Sequence, residues 1–99
     1  MGLPSGVPDG LELLPSAEHD LTRLLRRNRQ EFDRVWDDLK RLGTGTLPPQ
    51  GKKKLHGLDA FQFDSGRFRV VYSRQHTRYM IWAVFAKPDQ RDYLRRFRA

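Results

Sequence analysis

Phe61-Gln62-Phe63-Asp64-Ser65-Gly66-Arg67-Phe68-Arg69-Val70-Val71-Tyr72 is the stretch on which the fold turns. Phe61 and Phe63 alternate with Gln62 and Asp64, and Phe68, Val70 and Tyr72 alternate with Arg67, Arg69 and Val71. A period of two is the mark of a strand, because successive side chains leave opposite faces. Ser65-Gly66 between the runs marks a turn. Downstream, the polar stretch from Arg74 to Arg78 makes a second turn, and Tyr79 to Ala86 is almost wholly apolar, as in a central strand covered on both faces. The three runs read as an antiparallel meander. With Phe68, Val70 and Tyr72 facing a core, Arg67 and Arg69 are expected on the opposite face, where guanidinium groups make a phosphate-binding surface.

Upstream the period is helical. Leu21, Leu24, Leu25, Phe32, Val35, Trp36, Leu39 and Leu42 form one apolar stripe, with Ser16 as the expected N-cap and Gly43 as the closing residue. Two readings fit: one bent helix, or a helical hairpin broken around Asn28. Leu11 to Leu14 is read as a short strand, and residues 1–10 as a flexible leader ahead of a single domain spanning 11–99. Residues 43–54 have linker composition and end in Lys52, Lys53 and Lys54. Pro88 is expected to open a final helix whose apolar face is Tyr93, Leu94 and Phe97, with Arg91, Arg95, Arg96 and Arg98 around it. The expected architecture is α+β, in the order β-α(α)-β-β-β-α, with an antiparallel sheet whose one face packs on the helices.

The chain has 99 residues, 19 Lys plus Arg against 12 Asp plus Glu, and no cysteine. This length holds one core and not two. The missing cysteines remove disulfides, thiolate metal sites and thiol nucleophiles. His19, His56 and His76 are scattered without metal-ligand spacing, so no metal and no cofactor is expected. No apolar run approaches the roughly 18 residues of a membrane span, and residues 1–14 lack the pattern of a signal peptide. A cytoplasmic location is therefore expected. Residues 44–99 hold twelve basic and four acidic side chains, which accounts for all of the formal charge of +7. Such one-sided charge is the footprint of a polyanion binder. Lys52, Lys53 and Lys54 are candidates for gripping backbone phosphates, with Arg67 and Arg91 beside them. Glu31, Asp33, Asp37 and Asp38 read as solvated ion pairs amid arginines.

These residues resemble a known group. Lys54-Leu55-His56-Gly57-Leu58, then Phe61-Gln62-Phe63, then Gly66-Arg67-Phe68-Arg69-Val70-Val71-Tyr72 is similar to the RelE/ParE superfamily of bacterial type II toxin–antitoxin toxins. The segment Ala86-Lys87-Pro88-Asp89-Gln90 and the helix ending Leu39-Lys40-Arg41-Leu42 fit the same order. The resemblance spans about residues 11–98. It implies a strand-helix-helix-three-strand-helix fold and a cognate antitoxin, acidic or with an acidic segment, that wraps the basic surface. RelE-like members cut messenger RNA on the ribosome without metal, and ParE-like members poison DNA gyrase. For the nuclease branch the resemblance implies Arg69, Lys87 and Tyr93 as catalytic positions. Some members carry two lysines where this chain has Gln62 and Asp64, and His56 is a substitute base by residue type alone. A ribosome-dependent nuclease, a gyrase poison and a non-toxic basic interaction domain of the same fold are the three functional expectations.

Overall fold

The computed structural model describes residue 3, residues 6–46, 53–54 and 60–95. The elements run β1 (Leu11–Leu13), α1 (Pro15–Arg27), α2 (Arg29–Thr44), β2 (Lys53–Lys54), β3 (Phe61–Ser65), β4 (Phe68–Gln75), β5 (Arg78–Ala86), a 3-10 turn (Lys87–Asp89) and α3 (Gln90–Leu94). The strands form one sheet in the order β1-β5-β4-β3-β2. The β3-β4-β5 meander is antiparallel, as the alternation predicts. The expectation of a wholly antiparallel sheet is corrected at its far edge. There β1 lies parallel to β5, with Leu11 opposite Tyr79, so the sheet is mixed. Lys53–Lys54 adds a two-residue strand inside the expected linker.

The turns explain the register. Ser65 pairs with Phe68, leaving Gly66 and Arg67 as a two-residue hairpin loop. Gly66 takes φ +60, which suits the first position of a II′ turn and follows the twist of the strands. The second loop is His76–Thr77, between Gln75 and Arg78. Between Val71 and Tyr72 the β4–β5 ladder shifts: Val71 pairs with Ala83 and Tyr72 with Ile81, which leaves Trp82 as an extra residue. The bulge lets Ile81 and Val84, three apart, both face the helices, while Ala83 and Phe85 face the other way. Trp82 Nε1 donates to Ser73 Oγ at 2.9 Å across the same two strands.

The helical stretch is a hairpin. Asn28, with φ −152 and ψ 98, ends α1 and starts α2, and its side chain accepts from the Glu31 backbone N–H at 3.1 Å. Ser16 is not the N-cap. Pro15 occupies the first turn, where its missing N–H costs nothing, and the cap position falls to Leu14. The closing residue is Gly45, at φ +79, rather than Gly43. Gly43 serves closeness instead: a Cβ there would stand 2.1 Å from the Asp9 carbonyl oxygen, and one on Gly10 would stand 2.6 Å from the Gly43 carbonyl oxygen.

The main core lies between the helical hairpin and one sheet face. It holds Leu21, Phe32, Val35, Leu39 and Leu42 from the helices and Phe63, Val70, Tyr72, Ile81 and Val84 from the strands. Phe32 stacks on Trp36 with ring centroids 5.3 Å apart. A second, smaller cluster covers the opposite face: Ala60, Val71, Ala83, Phe85 and Leu94. Helices therefore lie on both faces, because α3 docks Leu94 onto the face that α1 and α2 leave open. Pro88 sits in the 3-10 turn, and the final helix begins at Gln90. Phe97 lies outside the described residues.

Among the described residues no strand lies beside β5 on the β1 edge beyond Leu13, and α1 takes over. Leu14 N–H donates to Ile81 O, Ser16 Oγ donates to Trp82 O at 2.6 Å, and Asp20 Oδ2 accepts from Val84 N–H at 3.0 Å. Side chains one helical turn apart thus continue the hydrogen bonding that β1 begins, which satisfies buried backbone groups. Asp20 is buried, and Arg23 Nη2 stands 3.5 Å from its other oxygen.

Candidate functional site

Strand register assembles a polar cluster on the sheet face away from the helical hairpin. Asp64 on β3 is directly opposite Arg69 on β4, and Arg69 is opposite Phe85 on β5. Lys87 follows β5 by one residue, and its backbone N–H donates to Arg67 O at 3.1 Å, which extends the ladder past the strand end. Two residues beyond Phe85, it shares the face of Arg69. Gln90 then arrives as the first residue of α3.

The contacts are specific. Arg69 Nε donates to Asp64 Oδ1 at 2.8 Å, and Arg69 Nη1 donates to Gln90 Oε1. Lys87 Nζ lies 3.4 Å from Asp64 Oδ2. Among the described residues these contacts leave Arg69 Nη2 for a ligand. The Arg69 side chain is 28% exposed, Lys87 39% and Asp64 47%, so the cluster is rooted in the sheet and open on one side. Partial burial pushes the Asp64 carboxyl up, but the hydrogen bonds and charges of Arg69 and Lys87 together outweigh it and hold it below its ordinary value. The carboxylate is ionised, and the three groups carry one net positive charge.

Tyr93 belongs to a neighbouring group. Its ring lies 5.0 Å from Phe85, tilted by 35°, and its hydroxyl accepts from Arg23 Nη2 on α1 at 2.6 Å. It lines a cleft of about 420 Å³ between the α1–α2 junction, the start of β4 and the end of β5. Arg67 lines this cleft too. The expectation that Arg67 shares the face of Arg69 is corrected: Arg67 is a turn residue, free of strand alternation, and its Nε pairs with Glu31 Oε1 at 3.1 Å on the helical side. Arg23, Arg27 and Arg67 in the cleft are matched by Asp20, Glu31 and Asp89, so it carries no excess charge.

Arg91 is exposed on α3. Lys52 and His56 lie outside the described residues, and Lys53 and Lys54 pair as β2 with Gln62 and Phe61. Gln62 is buried, and its Oε1 has no partner among the described residues. Among those residues no group of three or more His, Asp or Glu is placed to hold a metal ion, and no helix is long and apolar enough to cross a membrane. Gln90 and Arg23 are the contributors that sequence reasoning missed. Neither lies at a telling spacing from the residue it holds, so no local signal points to them.

Neither a family model nor a curated protein sequence matches the chain. Solved structures do. A chain of the toxin–antitoxin complex RelBE2 from Mycobacterium tuberculosis superposes with a TM-score of 0.56 at 23% identity, over 82% of this chain and 100% of that one. The fold is that of the RelE-like toxins. The YoeB dimer of Staphylococcus aureus gives a TM-score of 0.60 at 16% identity, over 79% of this chain and 94% of that one. The RelB–RelE antitoxin–toxin complex of Methanococcus jannaschii gives 0.53 at 13%, over 82% and 95%. This RelE-like fold places Arg69 on the central antiparallel strand and Lys87 just past the next one.

Proposed function

We propose that this protein is the toxin of a type II toxin–antitoxin pair and that it stops translation by cutting messenger RNA on the ribosome without a metal. The observation that carries the reading is the pairing of Arg69 and Lys87 across one carboxylate, with Arg69 held by both Asp64 and Gln90. Cleavage requires the RNA 2′-oxygen to attack the adjacent phosphorus. Its proton passes to a base, the P–O5′ bond breaks, and the leaving oxygen takes a proton. Negative charge accumulates on the non-bridging phosphate oxygens as the new bond forms. Two fixed cations on one side of that phosphate stabilise it without reorganising. Tyr93, with its ring against Phe85 and its hydroxyl on Arg23, serves as a stacking platform for a flanking base or as a proton carrier. Arg67, Arg91 and Lys52, Lys53 and Lys54 supply sequence-independent grip on the backbone.

The partners in this reading are the ribosome, messenger RNA and a cognate antitoxin with an acidic segment that masks the basic surface, and the location is cytoplasmic. Two of the structural neighbours are toxin–antitoxin complexes, which supports an antitoxin partner. The competing reading is a gyrase poison. Asp64 favours it, because a carboxylate between the two cations halves the charge available to a phosphate.

Cleavage and supercoiling assays on the wild type decide between them, and substitution of Arg69 tests the mechanism. In a ribosome-programmed cleavage assay, R69A loses about 10²–10³ of the cleavage rate while its circular dichroism spectrum stays unchanged. A folded R69A that still cleaves messenger RNA removes Arg69 from the mechanism. Wild-type protein that leaves messenger RNA intact but blocks supercoiling by purified gyrase establishes the other reading.

A further inference from the structure

Asp64 divides its two oxygens between the two cations: Oδ1 takes Arg69 Nε at 2.8 Å, and Oδ2 faces Lys87 Nζ at 3.4 Å. A phosphodiester offers the same pattern, two oxygens sharing one negative charge, to the same two donors. We propose that Asp64 is an internal competitor for the phosphate seat, a built-in anion that occupies Arg69 and Lys87 when no phosphate is bound and sets how tightly the site takes one. The inference rests on reading Arg69 and Lys87 as phosphate-binding.

Three features of the cluster suit this role. Asp64 is the most exposed of its three charged members, so its side chain has solvent to swing into when displaced. Gln90 holds Arg69 through Nη1, a nitrogen Asp64 does not use, so the guanidinium keeps its orientation while the carboxylate leaves. The two cations also make Asp64 a weak proton acceptor, which suits a counter-ion better than a general base. A seat filled in this way rejects isolated phosphates. It opens to a chain whose other contacts, to Tyr93 and the basic rim, help displace the carboxylate.

The test is the binding of a fluorescent single-stranded oligoribonucleotide, 2′-O-methylated to block cleavage, followed by anisotropy at about 150 mM salt. Exposed ion pairs are individually worth up to about fivefold, and Asp64 makes two, so D64N is expected to tighten binding about three- to tenfold. D64S, which draws the side chain out of reach, gives the same gain. D33N removes an equal charge from an exposed Arg29–Asp33 pair on α2 and changes binding less than about twofold. In an R69Q/K87Q background, which removes both cations that Asp64 occupies, the gain from D64N falls to the level of D33N. Binding by D64N and D64S that is no tighter than by D33N, or weaker than wild type, overturns the proposal. Ribosomal cleavage is measured in parallel. A wild type that never cleaves refutes the nuclease reading while the binding series still decides the role of Asp64.

Discussion

Removing the Asp20 side chain should unfasten the edge of β5. Its side chain is 1% exposed and accepts the Val84 N–H at 3.0 Å, which none of the described strands does. In D20A that N–H stays buried and loses its acceptor, a loss of about 1–3 kcal/mol. The ion pair with the half-exposed Arg23 adds less than about 1 kcal/mol, because solvent screens one partner. The sum spans roughly 1–4 kcal/mol, centred on about 2.5 kcal/mol. In a domain of this size each kcal/mol moves the midpoint by about 4–8 °C, so D20A should melt about 10–20 °C lower. D20N keeps an acceptor for Val84 and should lose only about 1 kcal/mol. Urea titration followed by circular dichroism measures both. Amide hydrogen exchange locates the effect, because Val84 should lose protection before Val70, its partner on β4. A D20A variant within about 0.5 kcal/mol of wild type, or Val84 exchange unchanged, refutes the reasoning.

Other substitutions probe other joints. G43A should destabilise by about 1–3 kcal/mol, because its Cβ would fall 2.1 Å from the Asp9 carbonyl oxygen; helix propensity alone predicts a gain of about 1 kcal/mol, so the sign of the shift in Tm separates the two. N28A removes the cap on the Glu31 N–H and should cost about 1 kcal/mol, read as a Tm lower by roughly 4–8 °C. Burial, with help from Tyr79, pushes the Tyr72 hydroxyl up to about 12. The unfolded chain ionises near 10, so the stability this group contributes is complete below pH 10 and is lost as pH rises towards 12. The loss is on the order of 2–3 kcal/mol. Y72F should flatten that alkaline limb in urea titrations at stepped pH, and an unchanged slope would assign the loss to other groups.

The meander was readable because aromatic and β-branched residues recur at every second position on either side of Gly66. The helical hairpin was harder, because the step from Leu25 to Phe32 keeps the apolar phase through the break. The deciding signal was present in Asn28 followed three residues later by Glu31, the spacing of a capped helix start. The parallel pairing of β1 was not readable, since three residues carry no record of direction. Arg67 was misplaced by extending strand parity one residue into a turn. The Asp64–Arg69 contact was legible in principle: a two-residue loop at Gly66–Arg67 fixes these two as direct partners. Lys87 and Gln90 join through the ladder extension and the short final helix, which depend on tertiary register rather than on local pattern.

The parallel pairing of β1 with β5 has a consequence for synthesis. Leu11 leaves the ribosome early, yet its partner Tyr79 and the Ile81 carbonyl that receives Leu14 are made near the end of the sheet. Until Ala86 has cleared the exit tunnel, the helical hairpin has no completed sheet on which to lay its apolar stripe. Arg69 precedes that late strand in sequence and Lys87 follows it, so their meeting across Asp64 waits for it. Contacts this distant in sequence form slowly. The polar cluster is therefore completed last, once β5 has joined β4.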